Sequence, residues 1–302
     1  MAELPTFATP ASFMGIARTD RTAKFCIAGM PLDLGTTNRA GARSGPPAIR
    51  AASRMLVDGQ HPSNWVDPAA LDIADIGDFG IFLGDIEKSL AMIEQQAAGL
   101  SHLIGLGGEH GITLPLLRAL KKRLGAPVGL VQFDSHLDTW EVNFGQRFAH
   151  GSVFYHALNE GLVDPKRMIQ VGIRSPVHRK VWDWTLSQGV TILTGEEVQL
   201  LGPIKAAERI KSVLGLGLGP AYLSFDIDAL DPSCAPGTGT PEIGGLASWQ
   251  AQAILRRLTG IDFVGMDVVE VAPAYDVAEI TALAAATMVW EYLAIVGDEP
   301  MR

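Results

Sequence analysis

The sequence predicts an α/β protein built on one parallel sheet, and three observations carry that expectation. Short apolar runs alternate with amphipathic stretches from one end of the chain to the other. The runs are apolar at successive positions, as strands covered by helices on both faces must be. No internal repeat, low-complexity tract or linker interrupts the alternation, so residues 1–302 read as a single domain.

Eight runs qualify as strands: residues 24–29 (KFCIAG), 71–77 (LDIADIG), 103–107 (LIGLG), 128–134 (VGLVQFD), 168–173 (MIQVGI), 190–193 (VTIL), 221–226 (AYLSFD) and 263–269 (FVGMDVV). Helical patterns fall between them at 46–57, 85–98, 113–124, 153–161, 178–188, 203–214 and 248–259, with a last one at 280–296. Pro46 and Pro47 suit a first helical turn, where a missing N–H costs nothing. Ser248, before WQAQAILRRL, is placed to cap the next-to-last helix. Strand–helix alternation implies right-handed crossovers in one sheet. Residues 1–22 and 61–70 look irregular, and the former read as an N-terminal arm lying on a neighbouring subunit.

Composition narrows the function. The formal charge of −9 argues against nucleic acid and anionic membrane as partners. Two cysteines, Cys26 and Cys234, make no disulfide framework and no CxxC pair. The N-terminus lacks a basic region followed by an apolar core, and no uninterrupted apolar run reaches roughly 18 residues. The cytoplasm is the expected compartment.

In open α/β sheets, sites form at the carboxyl ends of strands, and four strands here end in ionisable residues. Run 103–107 delivers Glu109 and His110; run 128–134 delivers Asp134, His136 and Asp138 in FDSHLDTW. Run 221–226 delivers Asp226 and Asp228, and run 263–269 ends at Glu270. In a continuing strand, positions i, i+2 and i+4 share a face, which would aim Asp134, His136 and Asp138 at one spot. Buried carboxylates side by side need a cation. Four carboxylates and two imidazoles are too many for one ion with an open position, whereas a charge of −4 balances two divalent cations. Carboxylate-rich ligation without thiolate favours Mn²⁺, and imidazole also permits Ni²⁺, Co²⁺ or Zn²⁺. Two ions about 3.5–4 Å apart can share and activate one water, which suits hydrolysis of an unreactive planar centre.

Taken together, these residues resemble the ureohydrolase family of agmatinases, arginases, guanidinobutyrases and proclavaminate amidinohydrolase. The resemblance runs from NRAGARSGPPAIR (38–50) to EITALAAATMVWEYL (279–293). Its specific segments are GGEHGITLPLL, FDSHLDTW, AHGSVFYHAL, SFDIDALDPSCAPGTGTPEIGGL and GMDVVEVAPAYD. It implies an arginase-like three-layer α/β/α sandwich on an eight-stranded parallel sheet. It also implies one ion on His110, Asp134, Asp138 and Asp226, and a second on His136, Asp134, Asp226 and Asp228. An activated water would attack the guanidinium carbon to give urea and an amine, with His150 shuttling the proton and Glu270 pairing with the guanidinium. Thr240 lies in the turn that lines the family's substrate pocket. Glu109 stands where many relatives have Asp, and Ser152 where many have Thr.

The expected substrate is a linear guanidino compound, agmatine first. The alternatives are an ω-guanidino acid (4-guanidinobutyrate or 3-guanidinopropionate) or another substituted guanidine or biguanide. Glu141 at the pocket mouth would suit an ammonium tail; Arg147, Asn143 or Arg174 would suit a carboxylate. Arg179, Lys180 and His178 add positive charge nearby, though the first two sit on a helix that can face solvent. The resemblance also implies a homo-oligomer, trimer or hexamer. Two rival readings remain: a non-catalytic assembly subunit, opposed by retention of all six ligands, and an arginase-fold deacetylase, opposed by Glu270. Cys234, His61, His102, His156, His178, Trp182 and Trp184 read as packing or surface residues.

Overall fold

The computed structural model describes residues 11–298. Eight strands form one parallel sheet: β1 (Phe25–Met30), β2 (Ile73–Asp78), β3 (His102–Gly107), β4 (Val128–Phe133), β5 (Val163–Ile173), β6 (Thr191–Thr194), β7 (Ala221–Asp226) and β8 (Phe263–Val269). Their spatial order is β2-β1-β3-β8-β7-β4-β5-β6. Every residue of β1, β3, β4 and β7 is buried, which is why those runs are apolar at successive positions.

Among the described residues eight α-helices join them: α1 (Gly45–Ser53), α2 (Ile86–Ala97), α3 (Thr113–Leu124), α4 (Val153–Asn159), α5 (Arg179–Ser187), α6 (Gly195–Leu214), α7 (Ser248–Leu255) and α8 (Ile280–Gly297). Helices α1, α6, α7 and α8 pack on one face around Ile104, Val131, Leu223 and Met288. Helices α2, α3 and α4 pack on the other around Ala28, Leu130 and Leu117. The result is the three-layer α/β/α sandwich. Helix α8 has the length and mean hydropathy, 1.6, of a membrane span, yet 72% of it is buried inside this chain.

Several boundaries move. The helix before β7 is expected to start at 203. The chain instead forms α6 from Gly195, with a Thr194–Glu197 capping box, and only breaks at Gly202 (φ 68°, ψ 169°). Strand β5 begins at Val163, five residues early, and its pairing with β4 jumps between Val128 and Leu130. Pro165 lies in that irregular stretch, where no ladder N–H is needed. Ser248 is the first residue of α7, not its cap; the N–H of the capping residue Ala247 goes to Gln250 Oε1 at 2.9 Å.

The expected N-terminal arm falls partly outside the described residues, at 1–10. Phe13 and Met14 are buried against this chain itself: Phe13 N donates to Asp75 Oδ2 and Met14 N to Ser53 Oγ, both at 2.7 Å.

Candidate metal centre and cavity

The sheet order explains how distant segments meet. Strands β3, β8, β7 and β4 are neighbours in space, and they are the four whose ends lead into His110, Asp134 to Asp138, Asp226 with Asp228, and Glu270. Residues 109–110, 134–138, 226–228 and 270 therefore share one end of the sheet centre, outside its carboxyl edge.

The convergence does not come from an extended strand. Strand β4 ends at Phe133, and Asp134 to Asp138 turn, with Asp138 at φ 52°. Asp226 closes β7, while Asp228 sits in a 3₁₀ turn, Ile227–Ala229. Alternation along a strand would separate groups by about 7 Å per two residues; the turns fold them onto one another. Glu270 also has a positive φ, 65°. Left-handed backbone at a non-glycine residue costs about 1–3 kcal/mol and persists where surrounding bonds fix it. Here Phe154 N holds Asp138 O at 2.9 Å, and Gly108 O holds Glu270 N at 2.8 Å.

Two overlapping clusters result. His110 Nδ1 lies 3.2 Å from Asp134 Oδ2, 3.0 Å from Asp138 Oδ2 and 3.2 Å from Asp226 Oδ2. His136 Nδ1 lies 3.4 Å from Asp134 Oδ1 and 3.1 Å from Asp228 Oδ2. Asp134 thus gives one oxygen to each cluster. Asp226 joins the His110 cluster, and its other oxygen accepts from Asp228 N at 2.9 Å.

The donor set fits cations. His110 Nδ1 is buried without a well-directed hydrogen bond, although three carboxylate oxygens surround it. Its other nitrogen, Nε2, meets Ser224 Oγ at 2.8 Å, and Ser224 in turn donates to Asp267 at 2.7 Å. Asp267 is held further by Tyr222 and Thr113. That chain of bonds fixes the proton on Nε2 and turns the Nδ1 lone pair inward. Burial and neighbouring carboxylates push the acids of Asp138 and Asp226 up, the latter strongly. Burial opposes charge on Asp134 too, but the adjacent imidazoles of His110 and His136 hold its pKa low. Without positive charge between them, these carboxylates resist ionising together, which two divalent ions would relieve.

Beside the clusters lies a cavity of about 410 Å³, walled by His136, Asp138 and Asp226, by His150, Thr37 and Thr240, and by the mouth residues Trp140, Asn143, Phe144, Ser175, Pro176, Val177 and His178. His150 Nδ1 lies 2.9 Å from Glu270 Oε1, which also accepts from His110 N at 2.8 Å. Burial disfavours a charged His150, but the Glu270 carboxylate outweighs it and carries the ring's pKa to about 9. Glu270 Oε2 is buried and has no hydrogen-bond partner among the described residues. Thr240 Oγ1 reaches Asp228 Oδ2 at 3.4 Å.

Other expected contacts separate from the site. Arg147 is exposed, stacks over Phe148 at 4.9 Å, and is not a wall residue of the cavity. Arg174 is tied by backbone carbonyls, among them Asp228 O and Glu242 O at 2.7 Å each, so its donors face inward. Arg179 pairs with Asp183 on its own helix, and Glu141 and Lys180 are exposed. His61, His102 and His156 are buried in packing contacts, whereas His178 lines the mouth. Thr37, Ser224, Asp267 and Gln132 escaped the sequence reading. Gln132, which donates to Asp134 Oδ2 at 2.7 Å, left a signal as an amide inside the apolar run VGLVQFD.

A buried pair of fused carboxylate–imidazole clusters beside a cavity, at the carboxyl edge of an open parallel sheet, defines a binuclear-metal hydrolase. The profile of the Arginase family matches residues 23–294. A guanidinopropionase of Pseudomonas aeruginosa is 42% identical, over 100% of this chain and 96% of its own length. An agmatinase of Enterobacter sp. is 44% identical over 91% of this chain and 88% of its own. The crystal structure of a hypothetical agmatinase from Burkholderia thailandensis superposes with a TM-score of 0.90 at 42% identity, covering 97% of this chain and 92% of that one. The chain belongs to the arginase family, and it is a hydrolase of C–N bonds in guanidino compounds.

Proposed function

We propose that the enzyme hydrolyses agmatine to urea and putrescine. The observation that carries this reading is the absence of any Lys or Arg from the cavity wall among the described residues. A substrate ending in a carboxylate would leave that charge without a cationic partner. The Trp140 and Phe144 rings at the mouth instead suit an ammonium, which is attracted to aromatic faces.

His110, Asp134, Asp138 and Asp226 would hold one divalent cation, and His136, Asp134 and Asp228, with Asp226, a second. We favour Mn²⁺, with Ni²⁺ as the alternative, for an oxygen-rich set without thiolate. When bound, the pair supplies Lewis acidity and lowers the pKa of water. The protein's own groups do the rest. Glu270 Oε2, buried and unpartnered, accepts a guanidinium N–H and orients the planar carbon. Glu270 Oε1 holds His150 in place, and His150 supplies the proton that the departing amine needs. Unpaired Cys26 and Cys234 agree with a cytoplasmic protein. We also propose a homo-oligomer, trimer or hexamer, on the family likeness; a stable monomer in a mass measurement at micromolar concentration would oppose it.

A specific observation favours a second reading, an ω-guanidino acid: the His178 imidazole lines the mouth, and the P. aeruginosa guanidinopropionase matches the whole chain. Measuring kcat/KM on Mn²⁺-loaded enzyme for agmatine, 4-guanidinobutyrate and 3-guanidinopropionate separates the two. Agmatine is expected to lead by about tenfold or more, and His178→Ala to leave it nearly unchanged. A lead for either acid, lost selectively in His178→Ala, would overturn the agmatine assignment.

A further inference from the structure

The end of β1 contributes no charged ligand to the site, yet the chain beyond it is seated with care. Both oxygens of buried Glu109 accept from Gly35 N, at 2.9 and 2.8 Å, and Oε2 also accepts from Thr36 Oγ1 at 3.1 Å. This strap presents the next residue, Thr37, to His150. Thr37 N donates to His150 Nε2 at 3.2 Å, and Thr37 Oγ1 lies 2.8 Å from the same atom. The other ring nitrogen belongs to Glu270. Both nitrogens of His150 are therefore engaged, and Thr37, half-buried, shares the cavity wall with the ring.

We propose that the Thr37 hydroxyl relays the proton between His150 Nε2 and the leaving nitrogen of the substrate. As the C–N bond breaks, its electron pair stays on nitrogen, which takes the Thr37 hydroxyl proton. The Thr37 oxygen takes the Nε2 proton in the same motion, leaving a neutral ring. The proton lost when the adduct's hydroxyl becomes the carbonyl of urea replaces the one taken from His150. Only a group that both donates and accepts can do this, and a hydroxyl does. The two neighbours of the ring also pull in opposite directions. Glu270 favours the imidazolium, while the Thr37 N–H needs a lone pair on Nε2 and favours the neutral form, so neither state is locked.

The inference rests on the guanidino-hydrolase reading but not on the identity of the tail. Thr37→Val keeps the shape and the N–H and removes the hydroxyl; Thr37→Ser restores it. On whichever guanidino substrate the wild type turns over fastest, Thr37→Val is expected to lose about 10- to 100-fold in kcat with little change in KM, and Thr37→Ser to stay within about threefold. A proton inventory in mixed H₂O and D₂O should be bowed for wild type and Thr37→Ser, and linear for Thr37→Val. Wild-type kcat in Thr37→Val, equal losses in both variants, or an unchanged inventory would each overturn the relay. A wild type inert to every guanidino compound would instead overturn the hydrolase reading itself, and the relay with it.

Discussion

His110 illustrates how much of a candidate ligand's orientation is set by residues outside its cluster. Its Nε2 proton is committed to Ser224, and Ser224 is committed to Asp267, a carboxylate that also accepts from Tyr222 and Thr113. Ser224→Ala leaves the six candidate ligands in place and removes only this support. Metal affinity is expected to fall about 10- to 100-fold, read by competition against a chromogenic chelator. Unchanged affinity would show that burial alone orients the ring. The six candidate ligands could be picked from the sequence because most of them fall in the DxHxD and DxD patterns that follow two apolar runs. Ser224 and Thr37 were not, since a hydroxyl in a strand or loop has no pattern until its partner is known. Arg147 and Arg174 fail in the opposite way: the sequence offers them as tail-binding cations, but the fold gives one to Phe148 and the other to backbone carbonyls.

Between elements, the most exacting join is that of α1 to β2. The Arg50 side chain, only 9% exposed, reaches Asp75 with Nε at 2.8 Å and with a second nitrogen at 3.0 Å, and it also bonds Asp78 and Gly77 O. Asp75 is bound in turn by Phe13 N, so one guanidinium fastens the helix, the strand and the segment before β1. Arg50→Ala would strand a buried carboxylate, and a loss of about 3–5 kcal/mol is expected in urea unfolding. A loss under about 1 kcal/mol would place Asp75 in contact with water instead. The same scale holds the correction to FDSHLDTW. Its period-two spacing reads as a strand, but the chain turns after Phe133, because groups meant to enclose a point must leave the pleat. Gly108 shows why the neighbouring GGEH must be glycine-rich: a side chain there would meet Leu32 O and Met30 O at 2.4 Å.

For the molecule as a whole, stability should depend on pH through a residue remote from the candidate metal centre. His102 is buried, bonds Tyr292 OH at 2.7 Å, and burial lowers its pKa to about 3. The folded protein therefore keeps this ring neutral where the unfolded chain protonates it. Below about 6.5 the unfolded state gains a proton that the folded state refuses, so stability falls as pH drops, by about 1.4 kcal/mol per unit. Above 6.5 the ring is neutral in both states and contributes no slope. Between pH 6.5 and 5.0, wild type is expected to lose about 2 kcal/mol more than His102→Gln, measured as urea midpoints at each pH. Parallel losses in the two proteins would mean that other groups carry the acid sensitivity.

By itself the sequence determined the eight strands, the alternation that makes them parallel, the family, and the acids and imidazoles that the fold brings together. Those are properties of short windows, where hydrophobic period and residue type act locally. The tertiary structure alone decided which strands are neighbours, that the chain turns after Phe133, that Arg147 and Arg174 are not in the cavity wall, and that Thr37 meets His150. Each of these depends on contacts between segments far apart in the chain. Their free energies are settled by packing and by the partners left for each buried polar group, which no local pattern encodes.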